Sequence, residues 1–329
     1  MSLNANDITI AITVFNRRQF LKQAIDSALN QTLPCRVIVV EDCGPDAEME
    51  AFVKKEFGSR VDYFRNPHRR GLFDNWNACL EYCQTPWLSI LHDDDFLAPV
   101  FVEAMLDLSR QAPGCGLYFG ETPMLNDAGE TIPCGERPAL SVPWKKVDLA
   151  NTITITPFPF PGHIFEVAAV RGEGGFNQAS QYCGDWEMWS KLIAHHSAAQ
   201  TNVVVGYNRS HGGLERGTSK IFRNGRLRPL TFVQQKRIIH LLREQGSPLR
   251  FDRNEFLKQA PMSVDYLVRH GARLTPRLLR YNVGLLQRST SPSFQHALFR
   301  SVARVLGTPF VETVSRLFCG LQSKKERGL

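Results

Sequence analysis

Between residues 8 and 120 the chain switches repeatedly between two hydrophobic periods, and few folds satisfy both. "ITIAITVF" is a continuous apolar run rich in β-branched residues, the pattern of a strand buried on both faces. "RRQFLKQAIDSALNQ" then places Phe20, Leu21, Ala24, Ile25, Ala28 and Leu29 at helical spacing. The alternation repeats. "RVIVVED", "RVDYF", "WLSIL" and "GLYF" read as strands, while "DAEMEAFVKKEF", "LFDNWNACLEYC" and a segment from about Pro99 to Arg110 read as helices. Strand–helix–strand order of this kind predicts an α/β fold, a mainly parallel sheet with helices on both faces. Sheets built this way bind ligands beyond the carboxyl ends of their strands. Here those ends are Phe15-Asn16, Glu41-Asp42 and His92-Asp93-Asp94-Asp95.

The last of these ends is the most demanding. In "WLSILHDDDFLAP" an apolar strand runs into three consecutive aspartates. Carboxylates crowded at the end of a buried strand repel one another and resist desolvation unless a cation neutralises them. Three readings are open: a solvated loop, a cap for the following helix, which would use one aspartate and leave two, or a divalent-cation site. An all-oxygen ligand set suits Mg²⁺ or Mn²⁺, which usually retain water and take phosphate oxygens as further ligands. The adjacent His92 is compatible with Mn²⁺.

Past residue 120 the pattern weakens. Residues 121–160 are rich in proline and turn residues, with "NTITIT" as a candidate strand. "GDWEMWSKLIAHH" predicts a helix opening at Asp185, and "TNVVVGY" a further strand. After about 220 the chain becomes helical in pattern and strongly basic. Of its 39 Lys and Arg, 20 lie beyond residue 220, against 6 of its 32 Asp and Glu, so the two parts face different surroundings. The 8 cysteines form no CxxC pair and read as reduced thiols of a cytosolic protein. The opening "MSLNANDITIAIT" lacks the features of a signal peptide, and no apolar run is long enough to span a membrane.

Taken together, "ITIAITVFNRRQFLKQAIDSALNQT", "VIVVEDCGPD" and "GLFDNWNACLEYCQTPWLSILHDDDFLAP" resemble the family 2 glycosyltransferases over residues 8 to roughly 215. The resemblance implies a GT-A type fold at 1–220, with a nucleotide-sugar half at about 1–120 and an acceptor half at about 121–220. A basic helical C-terminal region at 221–329 would follow. It also implies roles. Thr13 and Phe15 stand at the nucleotide contact, where the family often has Tyr in place of Phe15. Asp42 matches the acid that accepts from the base ring, although "EDCGPD" departs from the family's "DDGS"-like turn. Asp93 and Asp95 match the outer members of the DxD motif, with Asp95 the first choice for direct metal contact, and Asp94 is assigned to the ribose or a metal-bound water. Arg70, in "NPHRRGL", falls in a donor-binding loop. Asp185 aligns with the general base, with Gly184 where the family has an acid and Glu187 as the alternative base. In "GYNRSHGGLERGTS", His211 is the candidate to complete the metal or diphosphate site, and Arg209 or Arg216 to meet phosphate. His163, in "FPGHIF", is a residue whose direction the sequence leaves open.

The implied activity is an inverting, metal-dependent (Mg²⁺ or Mn²⁺) transfer of a sugar from a nucleotide-diphosphate donor, preferably a UDP-sugar. The acceptor would be a glycan or a lipid-linked glycan, as in bacterial surface polysaccharide synthesis. Two other classes compete. A sugar nucleotidyltransferase would resemble a glycine-rich N-terminal loop, and "ITVFNRRQF" has no glycine. A nucleic-acid-binding protein would use the basic C-terminal third but leave the aspartates unexplained, and no zinc-finger, RNP or helix-turn-helix signature accompanies it. That third places Phe294, Leu298, Val302 and Val305, then Val311, Val314, Phe318 and Leu321, on two apolar stripes flanked by Arg and Lys. The stripes suit packing on the catalytic domain, a homo-oligomer contact, or peripheral attachment of residues 290–329 to the inner, anionic face of a membrane.

Overall fold

A computed structural model describes residues 3–126, 129–132, 142–152 and 160–209, together with 234, 237, 238 and 240–244. The first strand, β1 (Ile8–Val14), is buried along its whole length. It is followed by α1 (Arg18–Leu29), β2 (Arg36–Glu41), α2 (Met49–Phe57), β3 (Asp62–Arg65), α3 (Leu72–Tyr82), β4 (Trp87–His92), the short β5 (Phe96–Leu97), α4 (Phe101–Gln111) and β6 (Leu117–Glu121). Every strand and helix expected between residues 8 and 120 is present, with boundaries within about three residues of the sequence pattern. Then come β7 (Met124–Leu125), β8 (Thr131–Ile132), β9 (Trp144–Lys146), β10 (His163–Glu166), α5 (Val167–Gly172), α6 (Gly184–His196), β11 (Ala198–Val204) and β12 (Gly206–Arg209).

Eight strands form one sheet in the order β3-β2-β1-β4-β10-β6-β11-β9. Pairing is parallel from β3 through β4, and β10 runs antiparallel to both β4 and β6. A second, four-stranded sheet has the order β5-β12-β7-β8. The strand period of two sorts the core into two layers. Ile8, Ile10, Ile12 and Val14 face α1, α2 and α4, while Ala11, Leu88 and Ile90 face α3, α5 and α6. Helices therefore cover both faces, as the periodicity predicts. The fold is the mixed α/β type expected, with helices on both faces of a sheet that is parallel from β3 through β4.

Beyond residue 120 the sequence was a poorer guide. Asn151 and Thr152 of the expected "NTITIT" strand lie in a 3₁₀ turn, Leu149–Thr152, and residues 153–156 lie outside the described residues. The strand that enters the middle of the sheet is β10, whose four residues are too short a run to show a period. Beyond the expected boundary at 220, the described residues 234, 237, 238 and 240–244 belong to the same compact unit as residues 3–209. Ile238 and Leu242 of that segment are buried in the α3–α6 layer. Residues 245–329, and with them the two apolar stripes, lie outside the described residues. Among the described residues no helix is long and apolar enough to cross a membrane, and Cys35, Cys43, Cys79, Cys83, Cys115 and Cys183 are free thiols.

His163 sits at the start of β10, fully buried among Phe160, Phe165 and Trp189. The direction that the sequence left open is therefore into the core. Burial lowers its pKa to about 3, a larger effect than the opposing hydrogen bond to the Phe160 carbonyl. The unfolded chain takes up this proton near pH 6.5 and the folded chain only near pH 3, so stability falls as pH falls through that window. His163→Phe is expected to shrink the stability gap between pH 7 and pH 4.5 by about 2–3 kcal/mol in urea titrations. An unchanged gap would remove His163 as the source.

Candidate active site

The parallel register aligns the strand ends. Thr13 pairs with His92, and Val14 with Glu41. Hydrogen bonding continues past the strands: Asp42 N donates to the Val14 carbonyl, Asn66 N to Glu41 and Asp93 N to Thr13. Phe15, Asp42 and the three aspartates are thereby delivered to one rim, because parallel strands of matched register end together.

The rim turn after β2 is braced from below. Glu41 is fully buried and accepts from the Tyr63 hydroxyl, from Arg65 and from Gly44 N at 2.8 Å. Burial and this hydrogen bond push the Tyr63 phenol well above its ordinary range. Asp42 is also buried. Its Oδ1 accepts from Arg70 N at 2.7 Å and its Oδ2 from Gly71 N at 2.9 Å, so it organises the loop leading into α3. The Arg70 side chain forms a two-pronged pair with Glu81, 2.8 and 3.0 Å. The guanidinium that meets Phe15 is its neighbour, Arg69, 4.3 Å above the ring centroid. Sequence position alone could not distinguish adjacent arginines.

At the end of β4, Asp93, Asp94 and Asp95 are 2%, 7% and 3% exposed, which excludes the solvated-loop reading. Two arginines answer them. Arg17 donates from Nη2 to Asp93 Oδ1 at 2.5 Å and from Nη1 to Asp94. Arg209 gives its backbone N–H to Asp95 Oδ1 at 2.9 Å and its Nε–H to the Asp94 carbonyl at 3.0 Å. Burial still lifts Asp93 to about pKa 6, against the downward pull of Arg17. Thr13 is buried beside this rim, with its hydroxyl directed to the Leu91 carbonyl.

Among the described residues, His92, Asp94 and Asp95 bring one ligand atom each within 4.8 Å of one another. One imidazole nitrogen and two carboxylate oxygens suit Mn²⁺ better than Mg²⁺, which prefers oxygen ligands alone. Asp93, also expected among the ligands, lies outside this group, and its Oδ1 accepts from Arg17, as an oxygen of Asp94 does. His211, the other expected ligand, and Arg216 lie outside the described residues. The His92 ring stacks on Phe160 at 4.2 Å and on Trp76 at 5.6 Å, which fixes its plane.

Asp185 is the second residue of α6; Cys183, not Asp185, holds the N-cap position. Its Oδ1 accepts from Trp186 N at 2.8 Å. An anion in a helix's first turn is stabilised by the N-terminal end of the helix dipole. Gly184 explains its own departure from the family pattern. A Cβ there would lie 2.3 Å from the Phe73 ring of α3, so an acid is sterically excluded. That contact, with Gln178 reaching the Arg70 carbonyl at 2.9 Å, joins the start of α6 to the loop that Asp42 organises. Glu187, the alternative base, is buried and bound to Ser180, Arg237 and Lys191. Its carboxylate ties Arg237 to α6.

Residues 9–123 match the model of glycosyl transferase family 2. Over this segment the chain is similar to that family. A chondroitin synthase of Pasteurella multocida is 24% identical over 61% of this chain. The chain spans 20% of that relative's length, and 41% of an uncharacterized glycosyltransferase of Rickettsia conorii at 23% identity. Among solved structures, TarS residues 1–349 of S. aureus in complex with UDP-GlcNAc aligns with TM-score 0.57 and 13% identity, covering 91% of this chain and 80% of that one. A mannosyltransferase of Pyrobaculum calidifontis in complex with GDP-Man and Mn²⁺ aligns with TM-score 0.54 and 16% identity, covering 92% and 88%. The match to family 2 ends near β7, so α6 and Asp185 lie beyond the segment that it covers.

Proposed function

We propose that this protein is an inverting glycosyltransferase that moves a sugar from a nucleotide-diphosphate donor to a glycan or lipid-linked glycan. The observation that carries the reading is the convergence of an aromatic face, an Asp42-braced loop and a buried His–Asp–Asp group on one rim of a family 2 sheet. Chondroitin synthase among the relatives supports polysaccharide synthesis as the setting. The nucleotide base would stack at Phe15, with Arg69 on the ring, and Asp42 would accept from the base edge. Thr13 and Asp94 would border the ribose, and Arg70 would order the loop through its backbone. A UDP-sugar is the donor we favour, with GDP the comparison.

His92, Asp94 and Asp95 would hold a divalent ion, with Asp93 and His211 as the ligands expected from the sequence. When bound, such an ion neutralises charge on a departing nucleoside diphosphate. The chain's own part is deprotonation. Asp185 would accept the proton of the acceptor hydroxyl as that oxygen bonds to the anomeric carbon and the carbon–phosphate-oxygen bond breaks on the opposite face. One displacement gives inversion. A lipid-linked acceptor would bring the enzyme to the cytoplasmic face of a membrane, with residues 290–329 as the peripheral contact.

Calorimetric titration with UDP and GDP, in Mn²⁺ and in EDTA, tests the reading. One nucleotide is expected to bind with metal and at least roughly tenfold more weakly without it. If neither binds under either condition, the donor site is not where we place it.

A further inference from the structure

We propose that Arg17 is a resident counter-cation of the acidic rim, which holds Asp94 until a divalent ion arrives and must release it for that ion to bind. The inference rests on the metal-assisted reading above but concerns a residue to which that reading gives no part.

Arg17 directly precedes α1 and contributes no side-chain cap to that helix. Its guanidinium is spread over two residues, with Nη2 on Asp93 and Nη1 on Asp94. A fork divided in this way can let go of one carboxylate and keep the other. Asp94 is claimed twice, by Arg17 and by the His92–Asp94–Asp95 group, whereas Asp93 belongs to Arg17 and lies outside that group. A divalent ion on Asp94 and a guanidinium on the same carboxylate would stand within a few ångströms in a poorly solvated place, where like charges repel strongly.

The second arginine is not equivalent. Arg209 lies over the Phe20 and Phe96 rings, 5.0 and 5.5 Å from their centroids, and also reaches Gln23. It meets Asp95 through its backbone and Asp94 through the main-chain carbonyl, leaving the Asp94 carboxylate to others. Arg17 keeps 27% of its side chain exposed, which gives it room to turn. Release from Asp94 leaves it tethered by Asp93 at the mouth of the site, where the negative charge of a diphosphate would meet it. Metal uptake alone is then weak, and uptake together with nucleotide is stronger.

The test is Mn²⁺ binding without nucleotide, read from the electron paramagnetic resonance of free Mn²⁺. Arg17→Gln is expected to bind Mn²⁺ roughly tenfold tighter than wild type, and Arg17→Lys, which keeps the charge, close to wild type. A purely structural Arg17 predicts equal or weaker binding. Equal or weaker affinity in an Arg17→Gln protein with wild-type melting overturns the proposal. Should Arg17→Gln fail to fold, ¹⁵N spectra of the arginine Nε–H groups in wild type decide the matter, with Arg17→Lys supplying the assignment. The Arg17 signal is expected to move on Mg²⁺ addition, and an unmoved signal overturns the proposal. Absence of Mn²⁺ binding in every protein also overturns it. Nucleotide binding in EDTA would still stand in that case, which separates this failure from failure of the donor-site reading.

Discussion

Asp185→Asn is expected to lower sugar transfer by roughly 10²–10⁴-fold while leaving fold and nucleotide affinity unchanged, because only the proton acceptor is lost. Asparagine retains the Oδ1 that accepts from Trp186 N, so the first turn of α6 keeps its local bond. The measurement is product formation from a nucleotide sugar, alongside nucleotide titration and thermal melting of the same variant. Transfer near the wild-type rate would move the base elsewhere. Glu187 is poorly placed to take over, since its carboxylate is buried among Ser180, Arg237 and Lys191. Glu187→Gln should therefore register first as a loss of stability.

Gly44→Ala is expected to destabilise the protein by about 3–5 kcal/mol, combining overpacking with disruption of a buried hydrogen-bond network. A Cβ at Gly44 would stand 1.7 Å from the Phe15 carbonyl oxygen and 2.8 Å from its carbon. Backbone cannot yield as a flexible side chain can. Either the turn after β2 lifts, breaking the 2.8 Å bond from Gly44 N to Glu41, or the turn after β1 moves and carries Phe15 with it. Denaturant unfolding measures the first outcome and nucleotide affinity the second. A variant within 1 kcal/mol of wild type, with unchanged affinity, would show that this close approach is not needed.

The site was legible to different depths at different residues. The apolar strand ahead of Asp93, Asp94 and Asp95 left a solvated loop open and the structure buries all three; the need for a cation follows from that burial. Which cation answers does not follow. Arg17 lies 76 residues from Asp93 and Arg209 114 residues from Asp95, and no spacing rule links such positions. Arg69 and Arg70 show the same limit at short range, since one turn sends the first to Phe15 and the second to Glu81. His92 was noticed as a neighbour of the aspartates, but its place among the candidate ligands depends on the turn after β4 and on stacking against Phe160. Gly184 looked like a defect in a family motif; the Phe73 ring gives the reason for it.

By itself the sequence determined the order of strands and helices to residue 120, the two-layer core and the rim on which polar chemistry collects. Those properties follow from hydrophobic period, which is local: neighbouring residues decide which face of an element is apolar, and parallel strands with buried faces must end at a common edge. Tertiary structure alone decided the insertion of β10 between β4 and β6, the pairing of Arg237 with Glu187 of α6, and the partners of Asp93 and Asp94 on the rim. Those outcomes depend on distances between residues far apart in the chain. A charge buried at a strand end is stabilised by whichever opposite charge the fold brings within about 3 Å.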